Sequence, residues 1–204
     1  MWDKALIRFS WIYIELVYRT MKWDFSDEFK LNEVNLKNCI LGFWHGQSYA
    51  MNFLIKKIYK ENYPMTVIVT ADKRGDYIEE TIGKYGVGAL RVPDGAKIKN
   101  FLRYIKDESN IDGASMAISL DGPLGPFQEP KKLGPLLSNK SGKNFIGVNL
   151  KVSKKISLKN RWDNYIIPLP FSIVKVEAYD FKNVQDEDLK HFIDYKEIIK
   201  SKLC

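Results

Sequence analysis

From residue 38 onward, short apolar blocks alternate with stretches whose apolar positions recur at helical spacing, the pattern of an α/β fold. NCILGFWH (38–45), MTVIVT (65–70), GALRV (88–92), SMAISLD (115–121), NFIGVNLKV (144–152) and SIVKVEAYD (172–180) predict strands. Between them, 48–60 and 76–85 predict helices, the second stopping at Gly86. Residues 96–107 carry Ile98, Phe101, Leu102 and Ile105 on one helical face, and 185–202 predicts a charged helix. The stretch GPLGPFQEP after Asp121 is a Gly/Pro-rich loop. No repeat or linker interrupts this order, so the expectation is one α/β domain with a central, mostly parallel sheet flanked by helices.

The first 26 residues read differently. WDKALIRFSWIYIELVYRTMKW (2–23) is strongly apolar, yet its longest uncharged stretch is six residues. A spanning helix needs roughly 20. No small-residue cleavage site follows, so neither a spanning helix nor a cleaved signal peptide is expected. At about 100° per residue, Lys4, Arg8, Glu15, Arg19 and Lys22 share a stripe roughly 60° wide. Residues 1–26 are therefore set apart as a hydrophobic amphipathic helix before a domain spanning 27–204. Either it packs across the domain, or it lies in a bilayer interface with Trp2, Trp11 and Trp23 as belt residues.

Composition narrows the partners. The 204 residues hold 32 Lys+Arg against 25 Asp+Glu, a net charge of +7. Such an excess asks for an anionic partner: nucleic acid, lipid headgroups or an acidic carrier protein. No nucleic-acid recognition motif is present, the charge is spread along the chain, and the aromatics lie mainly in apolar runs, so nucleic acid is not expected. Two cysteines, Cys39 and Cys204, make neither a disulfide framework nor a four-ligand zinc site. The expected setting is reducing and cytoplasmic, without a metal or a resident cofactor.

Ligands of a parallel sheet gather at the carboxyl ends of its strands. His45, the Asp72–Asp76 turn, Arg91 and the Asp121-Gly122-Pro123 corner all fall there. His45 ends an apolar strand, where it serves either as a general base or as a hydrogen-bonding cap. The second histidine, His191, sits in the charged terminal helix. No G-x-S-x-G elbow or G-x-x-x-x-G-K-[ST] loop appears, and the glycines at 83, 86 and 88 follow a helix rather than a strand. Lys73, Arg74, Arg91, Lys97, Lys131 and Lys132 line the predicted rim loops. A second basic stretch, Lys151 to Arg161 beside Trp162, is open to two readings: a headgroup contact or an ordinary hairpin-like loop.

These residues in this order carry a resemblance. Trp-His-Gly after an apolar strand, SLDGPLGP (119–126) and RWDNYIIPLPFS (161–172) resemble the lysophospholipid acyltransferase-like superfamily. The likeness is to its small bacterial branch of unassigned function, related to the lauroyl transferases of lipid A synthesis, and covers about residues 10 to 180. It implies His45 as the catalytic histidine and Arg91 as the arginine that binds an acceptor's phosphate. It also implies Asp121, Gly122 and Pro123 as acceptor-site residues and Asp76 as an acidic position at the helix start. Lys73 and Arg74 stand beside that position as candidate anion contacts. The superfamily usually has an aspartate five residues after the histidine; here that residue is Ala50, and Arg74 stands where the small branch has another aspartate. The fourth block, normally opened by a proline, reads Ile146-Gly147-Val148. Asp76, Asp72 or Asp121 is then left to pair with His45.

The resemblance implies an acyltransferase that moves a fatty acyl group from acyl-carrier protein or acyl-CoA to a hydroxyl of a lysophospholipid or glycolipid. It implies a peripheral protein on the cytoplasmic face of the inner membrane, in contact with an anionic surface. Ala50 and Arg74 motivate the alternative, a lipid-binding protein on the same fold without catalysis.

Overall fold

In the computed structural model, which describes residues 4–25, 38–58, 64–71, 73–92, 105, 107–108, 111 and 113–204 (apart from the side chains of residues 4–7 and 74), helix and strand alternate as the sequence pattern predicts. Helix α1 (Lys4–Thr20) leads into strand β1 (Lys22–Phe25). There follow β2 (Cys39–Phe43), a 3-10 turn (His45–Gln47), α2 (Ser48–Ile58), β3 (Met65–Thr70), α3 (Lys73–Gly83), β4 (Gly88–Val92) and β5 (Ser115–Ser119). The second half adds α4 (Leu133–Ser141), β6 (Asn144–Val152), β7 (Lys155–Leu158), β8 (Tyr165–Pro168) and β9 (Ile173–Asp180). Helices α5 (Asp186–Lys190) and α6 (Phe192–Leu203) complete it.

One sheet runs in the order β1-β9-β6-β2-β5-β3-β4, and every neighbouring pair is parallel except β6 with β9. Strand alternation builds a core on each face. Cys39, Leu41 and Phe43 of β2 join Ile14 and Val17 of α1, Phe53 and Leu54 of α2 and Ile82 of α3. Ile40 and Trp44 face the other way, toward Leu137 of α4 and Ile199 and Leu203 of α6. The expected α/β class, with its mostly parallel sheet between helical layers, is therefore the observed one.

Several boundaries differ from the sequence reading. The N-terminal helix ends at Thr20, and Lys22–Phe25 pairs with β9 at the sheet edge, so the segment 1–26 contributes a strand to the domain. Ser10 meets the Tyr77 hydroxyl, Glu15 pairs with Lys56, and the Tyr13 hydroxyl donates to Pro168 O at 2.7 Å, so one side of α1 is docked. Trp11 packs against Tyr85 and Trp23 stacks on Phe25, so neither stands free as a belt residue; Trp2 lies outside the described residues. Helix α4 falls on residues to which the sequence pattern assigned no element and carries Gly134 and Pro135 in its first turn; a proline there lacks only an N–H that has no partner anyway. The left-handed Gly142, at φ 71°, ends it. The terminal helix is broken at His191, and the basic stretch after 151 contains β7, paired antiparallel with β8. The helix expected over 96–107 lies largely outside the described residues.

Candidate active site

Strand β2 lies between β5 and β6, at the point where the chain's connections diverge to either side. Its carboxyl end is the switch-point position where α/β sheets bind ligands. Trp44 anchors that end: its indole N–H, buried, donates to Leu203 O at 3.0 Å, tying the strand to α6. His45 then opens the 3-10 turn that runs into α2, and the Ser48 hydroxyl donates to its carbonyl at 2.5 Å.

Asp121 fixes the backbone of this corner. Its carboxylate is fully buried and accepts from His45 N–H at 2.8 Å and from Gln128 N–H at 3.3 Å. Burial pushes the Asp121 carboxyl up from its ordinary value, and the amides offset only part of that shift. One side chain thus joins the end of β2 to the loop that follows β5.

The ring of His45 meets a different carboxylate. Nδ1 lies 2.8 Å from Asp163 Oδ2, on the turn between β7 and β8, 118 positions later in the chain. The Asp163 side chain is completely buried, while His45 keeps 17% exposure. Arg161 grips both oxygens of the same carboxylate, Nε donating to Oδ1 at 2.9 Å and Nη2 to Oδ2 at 2.8 Å. Burial pushes the Asp163 carboxyl up, but the hydrogen bonds from Arg161 and His45 outweigh it and hold the group below the usual carboxylate range. An ionised carboxylate only accepts, so Nδ1 carries a proton, and in the neutral ring Nε2 presents a lone pair. That is the tautomer a general base requires.

Two glycines allow the 161–164 turn to close on the strand ends. A Cβ on Gly46 would fall 2.0 Å from Asp163 O, so no other residue fits after His45 without displacing Asp163. A Cβ on Gly125, whose φ is 71°, would meet the Trp162 ring at 2.6 Å. Trp162 in turn lies against His45, with ring centroids 5.3 Å apart. The Trp-His-Gly, Gly-Pro-Leu-Gly-Pro and Arg-Trp-Asp segments form one packed unit.

Other residues of the expected site are placed differently. Asp76, expected beside His45, pairs instead with Arg91, Nη2 to Oδ1 at 2.7 Å. Arg91 is also held by Glu79, with Nε donating to Oε2 at 2.9 Å, so the expected phosphate-binding guanidinium already carries two carboxylates. Those partners, Glu79 first, raise the Arg91 pKa above its ordinary value. Asp121 reaches His45 through the backbone and not the ring. Gly122, at φ 67°, turns the chain after Asp121, and Pro123 is exposed beside it. Lys73 is exposed at the start of α3; Asp72, Lys97 and the side chain of Arg74 lie outside the described residues. Lys131 is exposed, and the Lys132 ammonium leans toward the Phe192 ring of α6. Ala50, where the superfamily has its aspartate, is buried in the core against α2's neighbours. The sequence motif contains Asp163 without giving it a role, and Arg161, read as the end of a basic stretch for headgroups or a loop, instead holds Asp163; no local spacing links residue 163 to residue 45. Among the described residues, no group of His, Cys, Asp and Glu side chains is arranged to hold a metal ion.

No family model matches the chain. It is similar to a protein of Rickettsia prowazekii (strain Madrid E) described as "Uncharacterized protein RP090". The two are 22% identical over 196 residues, which cover 93% of this chain and 85% of that protein.

Proposed function

We propose that the protein is an acyltransferase of the lysophospholipid acyltransferase-like kind, transferring a fatty acyl group from a thioester donor to a hydroxyl of a lysophospholipid or glycolipid. The observation that carries this reading is the His45–Asp163 pair at the carboxyl end of β2. Asp163 supplies from the β7–β8 turn the carboxylate that Ala50 does not supply from α2.

In this reading the acceptor hydroxyl sits against Nε2 of His45. As its oxygen attacks the thioester carbonyl, Nε2 takes the hydroxyl proton and Asp163 steadies the imidazolium. The tetrahedral oxyanion is met by backbone N–H groups near Gly46 and Gly122. When the intermediate collapses, the carbon–sulfur bond breaks, the ester stays on the acceptor, and the imidazolium returns its proton to the departing thiolate. No covalent enzyme intermediate forms, and no metal or resident cofactor takes part. The donor is acyl-carrier protein or acyl-CoA, and each buried CH₂ of its chain contributes about 0.8 kcal/mol to binding. Since Arg91 is engaged by Asp76 and Glu79, an acceptor phosphate competes with two carboxylates for it. The reaction is placed at the cytoplasmic face of an inner membrane, with the protein bound peripherally.

The test is an acyl-ester assay with purified protein, acyl-thioester donors on both carriers, and a panel of lysophospholipids. Ester formation that disappears in His45→Ala supports the reading. Lipid that binds tightly with no ester formed from any donor replaces it with the non-catalytic lipid-binding alternative.

A further inference from the structure

The outward side of α1 carries two stripes. One is the charged row of Arg8, Glu15 and Arg19 read from the sequence. Beside it lies an apolar row at positions 9, 12 and 16, where Phe9, Ile12 and Leu16 are 71%, 53% and 51% exposed. The same spacing continues to Thr20, whose hydroxyl oxygen accepts from Phe171 N–H at 3.2 Å. Phe171 is itself 69% exposed, so the row runs about 17 Å along the helix and passes, through the polar Thr20, onto the turn before β9. Leu169 N–H donates to Lys154 O at 2.9 Å, which ties that turn to the base of the β7–β8 hairpin. Ile156 and Leu158, along β7 from that base toward the far turn, are exposed as well. The hairpin's far end is the turn that carries Trp162 and Asp163 to His45.

Exposed lysines outnumber exposed carboxylates around this row, where Asp24 of β1 stands beside Lys22. Lys22, Lys154 and Lys155 are exposed at its hairpin end. Glu15 is occupied by Lys56 and Arg19, and Glu177 by Lys151 and Lys175. A second copy of the chain, docked about a two-fold axis near the hairpin end, would bring the same lysines against each other. An anionic surface meets them without that repulsion. None of the described helices is long and apolar enough to cross a membrane.

We propose that this row is a seat for an anionic lipid bilayer, with Phe9, Ile12, Leu16 and Phe171 entering the acyl boundary and Lys22, Lys154 and Lys155 meeting headgroup phosphates. Amphipathic surfaces of this kind bind by buried apolar area together with attraction to anionic lipid. The proposal deepens the acyl-transfer reading, on which it rests for its purpose: the hairpin links the bilayer seat to the His45 turn, so a membrane-held acceptor is presented from the side that docks.

The test is co-sedimentation of the full chain with phosphatidylcholine vesicles containing about one-third phosphatidylglycerol, and with phosphatidylcholine alone. The chain is expected to pellet with the anionic vesicles and to be released by high salt. Leu16→Glu and Phe171→Glu are each expected to weaken partitioning about tenfold or more, and Lys154→Ala about fivefold. Ile193→Glu, at a residue 75% exposed on α6 beyond the opposite face of the sheet, is expected to pellet as the unsubstituted chain does. Phe171 lies in a surface turn, so its variant carries the test should Leu16→Glu unfold. His45→Ala is expected to pellet normally, whereas Phe171→Glu should still acylate a detergent-dispersed acceptor. Failure of the seat and failure of the chemistry are thereby told apart. The proposal is overturned if the unsubstituted chain does not pellet with anionic vesicles, or if the Glu variants pellet unchanged. Equal loss in Ile193→Glu, or a dimer in sedimentation equilibrium that Phe171→Glu dissolves, overturns it too.

Discussion

The Asp163 carboxylate stands 2.8 Å from Nδ1 of His45 and is shared, oxygen for oxygen, with the guanidinium of Arg161. The three side chains come from the end of a central strand and from the turn of a separate hairpin. Each is required in that place by a contact the other segments make.

Arg161 divides the Asp163 charge between two partners. Without it, burial would push the Asp163 carboxyl up, and the acceptor that orients the His45 ring would take up a proton at higher pH. Among the described residues, three charged groups bear on this histidine: Asp163 on its ring, Arg161 behind Asp163, and Asp121 at its backbone N–H. Arg161→Gln is expected to move the acidic limb of the kcat/KM profile to higher pH, with activity recovered on the alkaline side. Arg161→Lys should restore part of the original profile. A uniform loss of rate at every pH would mean that Arg161 only props up the turn.

Gly46→Ala places a methyl 2.0 Å from Asp163 O, and the backbone there has no flexible end to swing aside. The turn must move, costing about 1–3 kcal/mol of stability as an overpacked contact does. Because the displaced residue is the partner of His45, activity should fall about as far as in Asp163→Ala. Urea midpoints and acyl-transfer rates measured on the same preparation check both halves. A variant that is less stable yet fully active would detach the close approach from the chemistry.

Asp121 was expected in the acceptor site; its buried carboxylate instead serves two backbone N–H groups. Asp121→Ala strands both, at about 1–3 kcal/mol for each. The variant should show a lower urea midpoint and a reduced kcat, with His45 no longer held at the strand end. Unchanged stability with a raised KM alone would return Asp121 to a substrate-binding role.

The two aspartates respond to acid in opposite senses. Asp163 is held below its unfolded value of about 3.9, so its contribution is complete above that pH and is lost as the pH falls through the folded value. Asp121 is raised, so its folded form binds a proton more readily and gains relative stability over the acidic range. Urea titrations from about pH 3 to pH 6 should therefore show a shallower acid destabilisation in Asp163→Asn than in the unsubstituted protein. A steeper one would contradict the assigned direction for Asp163.

Strand placement was legible because β-branched and apolar blocks such as MTVIVT leave little choice of element, and His45, Arg91 and Asp121 were correctly set at strand ends. The carboxylate partner was not legible. The resemblance looked for it at residue 50, five positions beyond the histidine, and the sequence otherwise offered Asp72, Asp76 or Asp121. The pairing depends on a hairpin folding back over β2, and only the two close-approach glycines record that fold-back in the sequence. Arg91 shows the converse: a residue placed at the rim by pattern, whose engagement by Asp76 and Glu79 depends on how α3 packs beside β4. Helix α4, to which the sequence pattern assigned no element, carries Gly134 and Pro135, residues that punctuate most segments but are tolerated in a first turn.

The most direct measurement is a double-mutant cycle on kcat/KM for ester formation from an acyl thioester, with His45→Ala, Asp163→Asn and the pair together. If the two side chains work as one general base, Asp163→Asn alone costs about 10²–10⁴-fold, and adding it to His45→Ala costs almost nothing further. Full activity in Asp163→Asn, or losses that multiply in the double variant, would contradict the pairing as the source of the chemistry.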